Sequence, residues 1–347
     1  MSNVKKGMHA FIIAEISANH GQSFNRAVGL IKKAKECGAD AVKFQCYTPD
    51  TMTIDANNKY FRIKHAKWGG QTLYQLYKKA YTPWSWFKDL KMVADDLGLM
   101  FFATAFDKTS VDFLEDLGVE SHKIASFELV DIPLIEYAAK TRKPLILSTG
   151  MATLYEIKEA VNAAKKAGTK DLTLLKCVSS YPAKPEEMNL KTIVDMKERF
   201  GCRVGLSDHT LGIATSVTAV SLGATIIEKH FTLSRKIKTP DSFFSIEPHE
   251  LKDLVRMARM AEASMGKIHY GLTEEEKKNL VFRRSLFVIE DIKKGETFTE
   301  KNVRSIRPSN GIPPKYLKSV LGRRAKKNIK RGVPLELEFI KEGKNAS

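Results

Sequence analysis

Between residues 10 and 265 the chain repeats one unit eight times: a short apolar, β-prone run, then a stretch with apolar residues at helical spacing. Ala10–Ile13 leads to Arg26–Cys37. Ala41–Gln45 leads to Trp84–Leu97, after an excursion from about Tyr47 to Thr82 that carries its own helix at Leu73–Lys79. Leu99–Ala103 precedes Lys108–Leu117, His122–Ala125 precedes Leu134–Lys140, and Pro144–Ser148 precedes Tyr155–Ala167. Leu172–Lys176 with Leu190–Phe200, Val204–Leu206 with Ala214–Leu222, and Thr225–Glu228 with Pro248–Met265 complete the series. Strands that alternate with helices pair in parallel through right-handed crossovers. Eight such units close a (β/α)8 TIM barrel. A doubly wound open sheet is the rival architecture, but no GxGxxG turn follows the first strand, which counts against its dinucleotide-binding version. The expected organisation is a barrel over residues 1–267, a linker over 268–280 and a small β-rich domain over 281–347.

The small domain repeats itself. Asp291-Ile-Lys-Lys-Gly295 matches Asn328-Ile-Lys-Arg-Gly332 at an offset of 37 positions, each copy flanked by β-prone segments. Between them Ile306-Arg-Pro-Ser-Asn-Gly-Ile312 reads as a loop. From Val281 onward there are 17 basic and 7 acidic residues, so this fifth of the chain carries much of the overall +17. A positive balance favours anionic partners. The cysteines Cys37, Cys46, Cys177 and Cys202 show no CxxC spacing and read as reduced thiols. The amino terminus has two lysines before an apolar run, but that run ends at Glu15, too soon for an export signal. No apolar stretch reaches the roughly 18 residues of a membrane span. A cytoplasmic globular protein is expected, with neither membrane nor nucleic acid as partner.

A barrel places its chemistry at the carboxyl ends of its strands. Here all eight ends are polar: Glu15 with Asn19 and His20; Lys43 and Gln45; Thr104; Lys123, Ser126 and Glu128; Ser148, Thr149 and Gly150; Ser179, Ser180 and Tyr181; Ser207, Asp208 and His209; Glu228 and His230. Taken singly, a serine after a strand is more often a helix N-cap, and a strand lysine snorkels to the rim. Taken together they surround one mouth. Lys43 and Lys123 sit in otherwise apolar strands, where an unpaired charge is costly; an anionic ligand would compensate them. His209 and His230 each follow an apolar segment, with Asp208 and Glu228 nearby. Two neutral imidazoles from neighbouring strands could hold a divalent metal with positions left open for a Lewis-acid role. Hydrogen-bonded core histidines are the plainer reading of either one alone.

The segments IAEISANHG, AVKFQ, HKIASFE, LSTGMAT, KCVSSYPA, GLSDHTLG, IEKHFTL and PDSFFSIEP, in this order, resemble the sialic acid synthase family. The end of the chain, with IRPSNGI, resembles that family's antifreeze-like (SAF) domain. YTPDTMT and GGQTLYQLYKKAYTPW are most similar to the family's pseudaminic acid branch. The resemblance implies a metal-dependent condensation of phosphoenolpyruvate with an open-chain N-acetylated amino sugar, giving a nine-carbon 2-keto acid and phosphate. The sugar it implies is 2,4-diacetamido-2,4,6-trideoxy-L-altrose; N-acetylmannosamine or the legionaminic precursor is the alternative. By motif position, Glu15 is the catalytic acid/base. Lys43, Thr104, Lys123, Ser126, Ser148, Ser179, Tyr181 and Ser207 hold phosphoenolpyruvate or line its pocket. Ser179 stands where relatives with another sugar carry asparagine. Gln45, Glu128 and Asp241 contact the sugar, and Arg307 reaches the partner subunit's site in a domain-swapped homodimer. His209 and His230 hold the metal, for which the family suggests Mn2+; Mg2+ and Co2+ suit the same donors. Phe127 and Phe243 would form an apolar wall for the deoxy carbon. A reading of another class, a polyanion-binding protein working through the basic terminal domain, is weakened there by scattered aromatics and interspersed acids.

Overall fold

The computed structural model describes residues 9–64 and 68–341. The Met1–Met8 segment, with the two lysines weighed against an export signal, lies outside them. The chain divides into two units, Met1–Gly266 and Lys267–Ser347.

In the first unit, eight parallel strands close into a barrel in sequence order. They are β1 (Phe11–Glu15), β2 (Ala41–Cys46), β3 (Met100–Ala105), β4 (His122–Ile124), β5 (Leu145–Ser148), β6 (Leu172–Cys177), β7 (Arg203–Asp208) and β8 (Ile226–His230). Around them run α1 (Phe24–Glu36), α4 (Phe87–Asp96), α5 (Lys108–Asp116), α6 (Ile132–Lys140), α7 (Leu154–Ala167), α8 (Thr192–Phe200), α9 (Ala214–Ser221) and α10 (Pro248–Met265). The excursion after β2 contributes α2 (Pro49–Met52) and α3 (Leu73–Ala80). Each expected strand and helix is present, with shifts of a few residues at the ends.

Strand alternation sorts the side chains into two cores. Ile12, Ala14, Val42, Phe44, Phe101, Leu147, Leu174 and Ile227 face outward and pack under the helices. Ile13, Ala41, Phe102, Ile146, Leu175 and Ile226 face inward and fill the barrel floor. Two residues further along each strand, on the same inner face, stand Glu15, Lys43, Thr104, Ser148, Cys177 and Glu228. The apolar plug is therefore capped by a polar layer. Gly205 completes the floor without a side chain. A Cβ there would lie 2.4 Å from the Ile226 carbonyl oxygen and 2.7 Å from Leu175 Cδ2.

Helix starts also decide how the strand-end hydroxyls are used. α5 opens on Asp107, α6 on Asp131 and α7 on Thr153, whose side chains accept backbone N–H groups of the first turn. α8 and α9 have no side-chain cap. Ser126, Ser148, Ser179 and Ser207 are thus not N-caps, and the commoner reading of a serine after a strand does not apply to them.

The second unit has its own core around Leu286, Val288, Phe298, Val303, Leu335 and Phe339. β9 (Ser285–Val288) and β10 (Val303–Ile306) pair antiparallel. The two repeated motifs pair with each other: Ile292 and Ile329 exchange backbone N–H···O bonds of 2.8 Å in both directions. Asp291 accepts from the Arg331 N–H at 2.9 Å, and Asn328, its counterpart, accepts from the Lys294 N–H at 2.7 Å. This is a local two-fold relation. The unit is less strand-rich than expected, because most other pairings are single bridges, such as Phe287 with Pro334; proline has no N–H to extend a ladder. The expected linker is partly ordered too, with α11 (Glu274–Lys278) capped by Thr273, and α12 (Leu317–Val320) follows later.

Candidate active site

The polar layer is a network of opposed charges. Lys43 Nζ lies 2.6 Å from Glu15 Oε2 and 3.8 Å from Glu228 Oε1, and donates to Thr104 Oγ1 at 2.8 Å. Lys123 Nζ lies 3.9 Å from the same Glu228 oxygen and donates to Ser148 Oγ at 2.6 Å. Ser207 Oγ donates to Glu228 Oε1 at 3.0 Å. Lys43, Lys123 and Glu15 are 3%, 1% and 1% exposed, so these charges interact with little screening. The sequence suggests lysines that wait for an anionic ligand; in the folded chain two carboxylates already offset them. Glu228 acts here on the lysines rather than on His230 alone, a role strand periodicity could have revealed. Burial pushes the Glu15 carboxyl up to about 7, against the pull of Lys43 and with the help of Glu228. Gln45 Nε2 donates to the other Glu15 oxygen at 3.4 Å.

Above Lys123 a second set of donors converges on Gly150. The Gly150 N–H donates to Ser126 Oγ at 3.0 Å. A Cβ on Gly150 would lie 2.3 Å from Ser179 Oγ and 2.8 Å from Ser126 Oγ. Ser179 Oγ is buried without a hydrogen-bond partner. The absent side chain therefore leaves a small hydroxyl-lined cradle.

His209 and His230 face each other across β7 and β8, with ring centroids 5.3 Å apart. His209 Nδ1 lies 2.8 Å from the Val178 carbonyl, to which it donates, so the neutral ring carries its lone pair on Nε2. Against burial, Cys177 and the Val178 carbonyl hold its pKa above the usual imidazole value, and a metal would displace that proton. His230 Nδ1 is buried with no hydrogen-bond partner. Burial, with His209 and Lys43 nearby, drives the His230 pKa well below the usual imidazole value, which is the neutral form a metal binds. Two imidazoles with ring centroids 5.3 Å apart, one carrying an orphaned buried nitrogen, fit a cation. Among the described residues no group of three or more His, Cys, Asp or Glu is arranged as a metal site; a cation here would draw its other ligands from water and substrate oxygens. Cys177, overlooked at the sequence level, has Sγ 3.8 Å from His209 Nδ1. Burial disfavours its thiolate, but the neighbouring His209 brings its pKa down to about 7. Asp208, expected beside His209, points the other way, because adjacent residues of a strand face opposite sides.

A cavity of about 430 Å³ opens beside His230 and Gln45. Its polar lining includes Gln45, Glu128, Tyr181, His230 and Asp241. Asp241 accepts from Ser17 Oγ at 2.5 Å and the Ala18 N–H at 3.2 Å. Glu128 Oε2 is buried and unpartnered, and burial lifts its pKa to about 7. Tyr181 packs 4.4 Å from the His209 ring. Much of the apolar lining comes from the excursion: Met52, Ile63, Trp68, Leu73, Leu76 and Tyr77. These residues were not singled out in sequence, where only the helix itself was legible. Phe127 lines the cavity as expected, but its aromatic companion is Phe244; Phe243 packs against Trp68 and Phe244 instead. Asn19 and His20 are structural: Asn19 Nδ2 donates to the Phe231 carbonyl and Ser245, and His20 Nε2 to Thr82. Arg307 lies in the second unit, exposed after β10. The barrel thus gathers every expected site residue except Arg307.

Among known proteins, the chain is 44% identical over 336 residues to the pseudaminic acid synthase of Campylobacter jejuni, covering 97% of this chain and 98% of that one. It is 40% identical over 335 residues to the N,N'-diacetyllegionaminic acid synthase of the same organism, covering 95% and 98%. The crystal structure of the N-acetylneuraminic acid synthetase of Leptospira borgpetersenii, in complex with citrate, superposes with a TM-score of 0.70 at 35% identity, over 78% of this chain and 90% of that one. The NeuB family matches residues 30–270 and the SAF domain residues 283–341; the chain belongs to the NeuB family, with a SAF domain at its carboxyl end.

Proposed function

We propose that this protein condenses phosphoenolpyruvate with the open-chain aldehyde of 2,4-diacetamido-2,4,6-trideoxy-L-altrose to give pseudaminic acid and phosphate. One observation carries the proposal: a buried layer of lysines, hydroxyls and carboxyls at the barrel mouth, two adjacent imidazoles, and a cavity reaching His230 and Gln45 that is lined by both polar and apolar side chains. Lys43, Thr104, Lys123 and Ser148 form the cationic floor for phosphoenolpyruvate. Ser126, Ser179 and the Gly150 N–H offer further donors to its phosphate, and Ser207 and Tyr181 border the same space. Arrival of a highly charged anion frees the lysines from sharing Glu15 and Glu228. In the reaction, C3 of the enol ester bonds to the aldehyde carbon while the C=O π pair moves to oxygen and becomes a hydroxyl. Water adds at C2, the C2–O bond to phosphate breaks to leave the 2-keto group, and the two water protons end on that hydroxyl and on phosphate. Glu15, buried beside Lys43, is placed to take the proton from that water and return one to the leaving group. His209 and His230 would hold a divalent cation, proposed as Mn2+, which polarises the aldehyde oxygen when bound.

Gln45, Glu128 and Asp241 would bind the polar edge of the sugar, while the excursion wall and Phe127 accept a methyl where a hydroxyl would be left unpaired. This favours a 6-deoxy sugar over N-acetylmannosamine, and the order of identities among the relatives supports it. Arg307 is proposed to act on the site of a second copy in a homodimer. We place the protein in the cytoplasm, where phosphoenolpyruvate is available; no helix among the described residues is long and apolar enough to cross a membrane.

The test is phosphate release by the purified protein with Mn2+, phosphoenolpyruvate and a sugar panel. Turnover is expected with the trideoxy altrose derivative. No release with it, or faster release with N-acetylmannosamine or the legionaminic precursor, refutes the assignment. His209→Ala and His230→Ala are expected to reduce metal-dependent turnover to background with the circular dichroism spectrum unchanged; normal turnover in either would refute the ligand reading.

A further inference from the structure

We propose that Asp208 and Lys229, a buried ion pair behind the two histidines, are positioning residues that set the spacing of His209 and His230. The inference rests on the reading of those imidazoles as cation ligands. Asp208 and Lys229 are direct neighbours in the β7–β8 register, and each immediately precedes a histidine. Strand alternation therefore turns the pair outward and the imidazoles inward. The two residues are 1% and 2% exposed.

The bonds they make straddle His209. Asp208 Oδ1 accepts from both the N–H and the hydroxyl of Thr210, each at 2.8 Å. Lys229 Nζ donates to Asp208 Oδ2 at 2.8 Å and to the Thr210 carbonyl at 2.7 Å. Ser216 Oγ on α9 donates to Asp208 Oδ2 at 2.5 Å. The N–H, hydroxyl and carbonyl of Thr210, the residue just after His209, are thus tied through the Asp208 carboxylate and Lys229 to the residue that precedes His230. A buried ion pair is weak as a source of stability, since apolar residues of similar volume often serve as well. What apolar residues lack is direction. Here the directed bonds link the two strand ends at the point where their next residues must converge. Metal-site supports of this kind alter affinity about 10- to 100-fold when lost.

The experiment measures Mn2+ binding to the full-length protein by electron paramagnetic resonance of the free ion. Phosphoenolpyruvate binding is measured in parallel by calorimetry in the presence of a chelator. Lys229→Met is expected to weaken Mn2+ about tenfold or more while metal-free phosphoenolpyruvate binding stays within about twofold. The double variant Asp208→Asn/Lys229→Met removes both charges and keeps acceptors for Thr210. It is expected to melt no lower than the parent yet to show the same Mn2+ loss, and it decides the matter should the single variant not fold. Mn2+ binding retained in the double variant overturns the inference, as does a parallel loss of both ligands. If the parent binds no Mn2+, or His209→Ala binds it equally well, the ligand reading fails and this inference with it. Binding abolished by His209→Ala but untouched by both pair variants overturns the inference alone.

Discussion

A methyl group at Gly150 is the smallest change that would close the hydroxyl-lined cradle proposed for phosphate. It would overlap the hydroxyls of Ser126 and Ser179, so at least one must swing away. Gly150→Ala is expected to raise KM for phosphoenolpyruvate on the order of tenfold, the equivalent of one lost hydrogen bond to a charged group. An unchanged KM would exclude the cradle as a phosphate site. His20 makes a different kind of prediction. Its Nδ1 accepts from the Gln22 N–H at 3.2 Å and its Nε2 donates to Thr82 at 3.0 Å, so the neutral ring pins the excursion to the end of β1. Burial, and secondarily Arg26, lowers its pKa to about 4. The unfolded chain takes up this proton near 6.5. Stability is therefore full above about pH 6.5 and falls as the pH drops to about 4, by on the order of 3 kcal/mol. His20→Gln should flatten denaturation midpoints over that window; a mutant with the parent's pH profile would show that His20 is not the group responsible. At this scale the sequence was readable where residue type is unusual for its place. Lys43 and Lys123 stand out in apolar strands. Asp208 misled, because adjacency in sequence along a strand means opposite faces in space.

At the scale of elements, the barrel works because β1, β2, β3, β5 and β8 each carry an apolar residue below a polar one on the inner face. Periodicity alone locates that boundary: Ile13 then Glu15, Ala41 then Lys43, Phe102 then Thr104, Ile146 then Ser148, Ile226 then Glu228. The gap at Gly205 is invisible to periodicity, since only the facing Ile226 backbone and Leu175 side chain show why nothing larger fits. Gly205→Ala should destabilise the first unit by about 3 kcal/mol, at the upper end of overpacking costs because a carbonyl cannot rotate out of the way. Chemical denaturation would register this as a lower midpoint with an unchanged slope; no shift would mean that β7 and β8 can part locally. The helix α3 was legible from its spacing, but its place as a wall of the cavity was not. A helical stripe says that one face is apolar, not what it covers.

For the whole molecule, the formal charge is +17 and the proposed substrate is a small polyanion. Raising KCl from about 0.05 M to about 0.5 M shortens the Debye length several-fold. kcat/KM for phosphoenolpyruvate should fall over that range while kcat holds, and a flat profile would rule out electrostatic capture. The second unit shows how repetition in sequence becomes symmetry in space: the Asp291 and Asn328 motifs bind each other's backbones as equivalents. The sequence by itself determined the eight units, the closed barrel they imply, the polar mouth and the repeated motif, since each follows from short-range periodicity and from residue types rare in their setting. Tertiary structure alone decided which carboxylates neutralise the lysines, which aromatic faces the cavity, how the excursion walls it, and that Asp208 serves Lys229 rather than the imidazole beside it. Those outcomes depend on distances between strands far apart in the chain, which no local pattern encodes.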